Sequence, residues 1–368
     1  MRYYSVDILR AVAIVVMVFV HFAENLSQVL LPFAGLGAPM FALLSGVSYR
    51  LWVNGQEARG VAAEQVSRIS VRRGLFVFGV GIAFNVLVWL PEDTFNWDVL
   101  TFIGSALLIL NLLRPAALPV HMTIAVASLA IAPVLRYMAD YPSYWQAGYF
   151  ECDLTLNDVL VGYLTTGYFP LFPWLTYSIA GYVIGALMLP QRLPGEAAPR
   201  PAVISTGRVV GIGALLLTLG QLALSLHPVW PEMIAERVLT GWSMFPPSTE
   251  YVASTLGMGL ILLGLLHRFV DQSPRDLSGS GALRLAKVFS RNAFTLYIAH
   301  HVVHLWPLWI VASFEGRETT YHWRRALPLG WSMTLAAAFL LLTYVLLRRV
   351  DPDRRYGIEG WMRWLCDH

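Results

Sequence analysis

Charged residues are scarce in this sequence, and their scarcity excludes an ordinary soluble globular protein. Only 13% of the 368 residues are Asp, Glu, Lys or Arg, against about 25% in a typical soluble domain. Lysine is nearly absent, because Lys287 is the only one. There is no long run of like charges and the net charge is only +3, so we expect no nucleic-acid partner.

Cysteine is also scarce. The two cysteines, Cys152 and Cys366, are too few for the disulfide framework that stabilises small secreted domains. The topology derived below puts them on opposite sides of a membrane, so we expect that they do not pair.

Apolar residues occupy most of the chain instead. They make up 57% of the sequence, which is enough for about ten membrane-crossing helices of about 20 residues each. Runs of spanning length lie at 7–25, 33–53, 72–90, 98–113, 119–137, 167–189, 206–226, 250–270, 289–311 and 326–348. The first run contains Asp7 and Arg10 and no cleavage site follows it, so it is a permanent helix rather than a signal peptide. The sequence therefore predicts an all-α, polytopic integral membrane bundle of about ten transmembrane helices.

Arginines near the ends of these runs set the predicted orientation, since positive residues in short loops stay on the cytoplasmic side. Two loops stand out, one between the second and third runs and one between the eighth and ninth. Their basic residues are Arg50, Arg59, Arg68, Arg72, Arg73 and Arg268, Arg275, Arg284, Lys287, Arg291. Both termini are therefore predicted to be cytoplasmic. The loop 312–325 disagrees, because it carries Arg317, Arg324 and Arg325 on the predicted outer side.

The chain is predicted to form a single membrane domain over residues 1–368. A stretch rich in Pro and Gly near 190–205 reads as a cytoplasmic linker between two five-helix halves. No internal repeat is visible, which disfavours the repeat architecture of many transporters. The outer segment 138–166 holds Tyr144, Trp145 and Tyr149, which are expected either to stack on a sugar or to form an interfacial aromatic belt.

Two polar residues of the first run share one helical face at different depths. Arg10 and His21 are eleven positions apart, which places them about 20° from alignment and about 16 Å apart along the axis. One interpretation is an Asp7–Arg10 ion pair at the helix entrance and a simple interfacial histidine. The shared face favours a functional interpretation, in which one long substrate touches both residues.

The ninth run carries a second polar cluster. Its members are Arg291, Asn292, Tyr297, His300, His301 and His304. The spacing of His300 and His304 suits a metal, but no carboxylate or cysteine lies near them in sequence as a third ligand, so no metal is expected. A polar helix lining a cavity is the preferred interpretation.

Small residues in the second and sixth runs have a plainer explanation. Gly181 and Gly185 are spaced for close helix packing. Ser45 is a weak nucleophile candidate, because nothing in the sequence places a base beside it.

Four stretches of the sequence resemble a known family. The opening Arg-x-x-Ser-Val-Asp-x-x-Arg-x-x-Ala at residues 2–13, followed by Met-Val-Phe-Val at 17–20, resembles the first catalytic-domain helix of the heparan-α-glucosaminide N-acetyltransferase family. Pro-x-Phe-x-x-x-Ser-Gly at 39–46, Phe-Pro-Trp-Leu at 172–175 and Asn-x-x-x-x-Tyr-x-x-His at 292–300 look like further landmarks of that family. Ten residues between Arg10 and His21 is also the spacing of bacterial membrane acyltransferases that modify cell-surface glycans.

The resemblance implies an activity. An acyl group, expected to be acetyl, would pass from cytoplasmic acyl-CoA to a hydroxyl or amine of an extracytoplasmic sugar or glycolipid. His21 would act as general base, with His300 and Tyr297 positioning the thioester or stabilising the oxyanion. The coenzyme would be held by Arg10, Arg72, Arg73, Arg291 and Asn292. The resemblance also implies acetyl-CoA or another acyl-CoA as co-substrate, no metal, and a place in the bacterial inner membrane, while a homodimer is left open.

The sequence departs from the family at the residues nearest the chemistry. Ala11 stands where a glycine is common. His21 occupies a position that is asparagine in the lysosomal members, and the short loop 26–32 has no histidine. At this position the chain is more similar to the glycan O-acyltransferases, so the acceptor is not carried over from the lysosomal enzymes.

Other functions remain open at this point. A transporter or lipid flippase with a proton relay through the histidines is the main alternative, and a non-catalytic membrane scaffold is another. The sequence also leaves open whether transfer is direct or passes through an acyl-histidine.

Overall fold

The computed structural model describes residues 2–142, 155–190, 201–274, 279–350 and 356–367. The aromatic residues Tyr144, Trp145 and Tyr149 lie outside the described residues, as do Cys152 and most of the predicted linker near 190–205. Predictions that depend on them stay predictions.

The all-α prediction is confirmed, since the described residues form fourteen α-helices and no strand. The helices are α1 (Tyr4–Ser27), α2 (Gly37–Glu57), α3 (Ala63–Phe84), α4 (Val99–Leu113), α5 (Leu118–Met138), α6 (Leu156–Val161), α7 (Leu171–Met188), α8 (Thr206–Ser225), α9 (Glu232–Arg237), α10 (Thr249–Leu266), α11 (Gly281–Arg291), α12 (Ala293–Phe314), α13 (Leu329–Leu347) and α14 (Gly357–Cys366).

Eight helices within the described ranges are long and apolar enough to cross a membrane. They correspond to α1, α3, α5, α7, α8, α10, α12 and α13. Helix α4 is apolar but shorter. Helix α2 forms at the second predicted span but is not among the eight, because its second half carries polar residues such as Arg50, Asn54 and Gln56. All ten predicted runs are thus helical, and eight of them meet both criteria for a span.

Internal contacts divide the chain into two compact units. The first comprises Pro39–Val86 and Leu90–Arg268, and the second comprises Arg2–Ala38, Leu87–Trp89 and Phe269–His368. Helix α1 therefore belongs with the C-terminal helices. The predicted pair of five-helix halves joined near 190–205 stays a prediction.

Within the first unit, α2 and α7 approach each other unusually closely. A Cβ atom at Gly46 would lie 1.8 Å from the Ser178 carbonyl oxygen, and one at Gly181 would lie 2.0 Å from the Leu43 carbonyl oxygen. Neither position has room for a side chain, so glycine is required at both. The packing interpretation of Gly181 is thereby confirmed.

In the second unit, α1 packs against α11, α12 and α13. Two hydrogen bonds join α1 to α12, from His21 to His300 and from Asn25 to His304. Residue numbers rise together along both helices, so α1 and α12 run parallel. This is the relation expected of a first and a ninth span, because seven crossings lie between them.

Carboxylates from other segments cap both of these helices at their N-termini. Asp271 accepts from the Tyr4 amide at 2.7 Å at the start of α1. Glu359, on α14, accepts from the Phe294 amide at 2.7 Å at the start of α12. Because α1 and α12 are parallel, the N-terminus and the C-terminal helix lie at the same end of this unit. Which side of the membrane that end faces stays a prediction.

The arginines that disagreed with the predicted orientation lie near the opposite end of α1. The loop that carries them is bonded to α1, because the amides of Arg324 and Leu327 donate to the carbonyls of Asn25 and Leu26. Each arginine has a local partner: Glu315 for Arg317, Glu24 for Arg324, and the ring of Tyr321 for Arg325. These local pairs give the arginines a structural role in a loop where the positive-inside rule does not predict them.

The close approach of α2 and α7 makes a testable prediction about Gly181. We expect Gly181→Ala to lower the free energy of unfolding by about 1–3 kcal/mol, because the methyl group forces the two backbones apart. Thermal unfolding of the detergent-purified protein measures the effect. Gly79→Ala on α3 is the matched control, since nothing lies within 4 Å of its Cβ position, and there we expect no loss. Equal melting temperatures for the two variants would contradict the packing interpretation.

Candidate functional site

Three histidines from two helices meet in the second unit. His21 on α1 is half-buried, while His300 and His301 on α12 are buried. The rings of His21 and His300 are stacked with centroids 5.1 Å apart and planes at 10°. The His301 ring lies 4.6 Å from that of His21. The structure thus brings together the sequence-predicted His21 and His300, which are 279 residues apart in the chain.

Backbone carbonyls fix the tautomers of this cluster. The Nδ1 of His300 lies 3.0 Å from the Leu296 carbonyl oxygen, which can only accept, so neutral His300 carries its proton on Nδ1. Its Nε2 is then an acceptor, and His21 Nδ1 donates to it over 2.8 Å. The neutral His21 ring consequently has its lone pair on Nε2.

A second bond joins the same helices one turn further along. His304 Nδ1 donates to the His300 carbonyl oxygen over 2.5 Å, so its Nε2 accepts from Asn25 Nδ2 at 2.8 Å. The Asn25 Oδ1 accepts in turn from Trp323 Nε1 at 3.2 Å. Both ring nitrogens of His304 therefore have partners.

Aromatic rings enclose the histidines. The Tyr297 ring meets those of His300 and His301 edge-on, at 5.7 and 5.5 Å. The ring centroid of Trp89 lies 5.4 Å from that of His301. The segment that carries Trp89 is held by a hydrogen bond from Trp309 Nε1 to the neighbouring Val88 carbonyl oxygen. The half-buried His21 is thus the most accessible histidine of the cluster.

Arg10 belongs to a polar network about three turns from His21 along α1. Its guanidinium donates to the Ser290 hydroxyl at 2.8 Å. That hydroxyl donates to Asp7 at 2.6 Å, and Asp7 also pairs with Arg2 at 2.6 Å. Ser290 therefore links Arg10 to Asp7, and both α1 residues face the end of α11.

Arg291 and Asn292 lie at the junction of α11 and α12, close in sequence to Ser290. The Asn292 amide donates to the Val288 carbonyl oxygen at 2.8 Å and occupies the break between the two helices. The predicted coenzyme residues Arg10, Arg291 and Asn292 thus belong to one end of the second unit.

Arg72 and Arg73 lie on α3 in the first unit. Arg72 lines a shallow cavity of about 360 Å³ together with Ser67 and Arg68. Arg73 lies over the ring of Trp52, 4.6 Å from its centroid. Their part in coenzyme binding stays a prediction.

Ser45 has no base among its hydrogen-bond partners in the described structure. It donates to the Ala42 carbonyl oxygen at 2.7 Å and shares a hydrogen bond with the Ser178 hydroxyl at 2.9 Å. Neither partner can take up its proton, which agrees with its ranking as a weak nucleophile.

Sequence reasoning missed several residues that organise the site. Asn25 was detectable, because it follows His21 by four positions as His304 follows His300. Ser290 carried no signal of its own, because its partners on α1 lie about 280 residues away in the chain. Trp89 carried no signal, since it reaches the cluster from the segment between two predicted spans.

Comparison with known proteins gives one family. A family model described as "Heparan-alpha-glucosaminide N-acetyltransferase, catalytic" matches residues 2–221, more than half of the chain. No curated protein matches the chain significantly. The matched region includes α1 with Arg10 and His21, while α12 with its three histidines lies beyond it.

The link through Ser290 makes a testable prediction. We expect Ser290→Ala to lower the free energy of unfolding by about 1–3 kcal/mol, because it leaves buried Asp7 and half-buried Arg10 without a shared partner. Thr334→Ala is the control, since Thr334 bonds only its own helix on an exposed face, and we expect a change within about 0.5 kcal/mol. Urea or thermal unfolding measures the stability of both variants. Equal stability of Ser290→Ala and Thr334→Ala would refute the link through Ser290.

Proposed function

The chain belongs to the heparan-alpha-glucosaminide N-acetyltransferase catalytic family, and from that premise we propose that it is an acyl-CoA-dependent acyltransferase acting across a membrane. Membership implies a transmembrane acetyltransferase-like function. The proposal adds a donor, acetyl-CoA or another acyl-CoA, and an acceptor, the hydroxyl or amine of an extracytoplasmic sugar or glycolipid.

One observation carries the chemical part of the proposal, the hydrogen bond from His21 Nδ1 to His300 Nε2 at 2.8 Å. It leaves the His21 lone pair on Nε2, where a general base needs it. His21 Nε2 takes the proton of the acceptor O–H or N–H while the acceptor atom attacks the thioester carbonyl carbon. The carbon–sulfur bond then breaks, and the coenzyme thiolate leaves and is protonated.

His300 acts through His21 in this mechanism. Its Nδ1 is anchored to the Leu296 carbonyl oxygen, so its ring is fixed and its Nε2 holds His21 in the required tautomer. This resembles the role of the acid that orients a catalytic histidine. Tyr297, edge-on to His300, is proposed to position the thioester.

The coenzyme is proposed to bind at the Arg10 end of α1. Arg10 and His21 lie about 16 Å apart along the helix axis, a distance of the order of an extended pantetheine arm. Arg291 and Asn292 would contribute at the α11–α12 junction. Arg72 and Arg73 of the first unit stay predicted coenzyme ligands. In the predicted orientation the Arg10 end of α1 lies on the cytoplasmic side of a bacterial inner membrane, and acyl-CoA is made in the cytoplasm.

The hydrogen-bond pattern disfavours the alternative of a transporter or flippase with a proton relay. A relay needs each site to accept a proton on one side and release it on the other. The chain from His21 through His300 ends at the Leu296 carbonyl, and that from Asn25 through His304 ends at the His300 carbonyl. A carbonyl accepts a hydrogen bond without passing a proton on.

Replacing His21 tests the proposed base. We expect His21→Asn to lower acyl-CoA-dependent acylation about 100- to 10,000-fold, because general-base catalysis contributes that much. The assay follows transfer from labelled acetyl-CoA to membrane glycans in inside-out vesicles, with protein amount and folding matched. His322→Asn, on the loop after α12, is the control and should retain activity. Full turnover by His21→Asn would exclude the mechanism.

Replacing Arg10 tests the coenzyme end. We expect Arg10→Gln to raise KM for acetyl-CoA about 10- to 100-fold with a smaller effect on kcat, because a charged hydrogen bond contributes about 1.5–3 kcal/mol. Gln retains a donor for Ser290, so the fold is preserved. Arg2→Gln changes an arginine that pairs directly with Asp7 and should leave KM unchanged. A fall in kcat at unchanged KM would place Arg10 elsewhere in the mechanism.

A further inference from the structure

The geometry points to a binding site for one divalent transition-metal ion of the zinc class, formed by His21, His300 and His301. One ring nitrogen of each lies within 4.8 Å of those of the other two. The sequence gives metal-ligand spacing to His300 and His304 and places no third ligand near them, whereas the structure groups His300 with His301. Helix α1 supplies the third ligand, and imidazole nitrogens are preferred ligands of Zn²⁺, Cu²⁺ and Ni²⁺.

His300 is held as a metal-bound histidine usually is. A ligating imidazole commonly donates its other ring N–H to a carbonyl or carboxylate, which fixes its tautomer. His300 Nδ1 makes this bond to the Leu296 carbonyl oxygen at 3.0 Å. Its Nε2 lone pair therefore points at His21 and is available to a cation.

The motion required for metal binding is small. Zinc–nitrogen bonds of about 2.0–2.1 Å at a tetrahedral angle put ligand nitrogens about 3.3 Å apart. His21 Nδ1 and His300 Nε2 are 2.8 Å apart, so this pair needs to open by about half an ångström. The metal replaces the shared proton. The ligating nitrogen of His301 lies at most 4.8 Å from those of His21 and His300 and must move towards them. A fourth coordination position remains for water.

Metal binding and base catalysis use different tautomers of His21. A neutral imidazole that ligates through Nδ1 carries its proton on Nε2. In the proposed mechanism Nε2 must hold the lone pair. The single ring proton of His21 is therefore transferred through solvent from Nδ1 to Nε2, with no net change in the charge of the ring, so the metal-bound enzyme lacks its base. The metal site stands on geometry alone, while its inhibitory effect rests on the proposed function.

Binding is tested directly with Co²⁺, whose visible absorption reports four-coordinate ligation. The full chain, purified in detergent without chelator, is titrated with Co²⁺ and then with Zn²⁺. We expect one Co²⁺ per chain, with an intense visible band that Zn²⁺ abolishes. Zn²⁺ should also raise the melting temperature, since it binds only the folded protein.

Variants identify the ligands. His301→Phe keeps a ring in the cluster without a ligating nitrogen, and His301→Asn is a smaller second substitution. Each, like His21→Asn, should remove the Co²⁺ band, whereas His322→Asn should retain it. The metal site is refuted if folded wild-type protein develops no band, or if the band survives in the folded His301 and His21 variants.

Activity separates the two proposals. We expect Zn²⁺ to inhibit acyl transfer by the wild-type protein, and His301→Phe to need at least about 10-fold more Zn²⁺ for the same inhibition. A Co²⁺ band in a protein without acyltransferase activity would refute the proposed function and leave the metal site standing. Activity indifferent to Zn²⁺ in a protein that binds Co²⁺ would refute the inhibitory effect alone.

Discussion

A hydrogen bond between two imidazoles on parallel helices organises the second unit of this protein. In hydrocarbon a polar side chain must find a partner within the protein, and His21 finds His300. If α1 slipped by one residue against α12, His21 would turn by about 100° around the helix axis. Buried polar groups would then lose their hydrogen-bond partners, which costs about 1–3 kcal/mol for each group. The bond therefore fixes the register of α1 against α12. The same register brings Asn25 to His304.

Hydrogen bonds at the N-termini of α1 and α12 also stabilise this register. Tyr3 and Asn292, the residues that precede α1 and α12, make no capping bond with their side chains. Asp271 and Glu359 supply the missing acceptors from distant segments, and a carboxylate at a helix N-terminus is also favoured by the helix dipole. These bonds join the N-terminus, the segment before α11 and the C-terminal helix. They hold Arg10 beside Ser290 while His21 is held beside His300.

Much of this architecture was readable from the sequence, and the exceptions have identifiable causes. Hydropathy located all ten helical runs. Two of them do not meet both criteria for a span, α2 because its second half is polar and α4 because it is short. The arginines after α12 disagree with the predicted orientation, and their carboxylate and aromatic partners are not apparent in the sequence. The shared face of Arg10 and His21 agrees with the structure, because helical geometry depends on spacing alone. The partners of that face could not be read, because Ser290 and His300 lie more than 270 residues away.

The sequence by itself determined that the chain is a bundle of apolar helices, which family it resembles, and that Arg10 and His21 share one face at different depths. These follow from composition and from periodicity within one helix. Only the tertiary structure decided that His21 meets two histidines of α12, which of its nitrogens holds the lone pair, and that Asp7 and Arg10 are linked through Ser290. Such facts depend on the register between helices distant in the chain. That register is set by pairing buried polar groups, which no local pattern encodes.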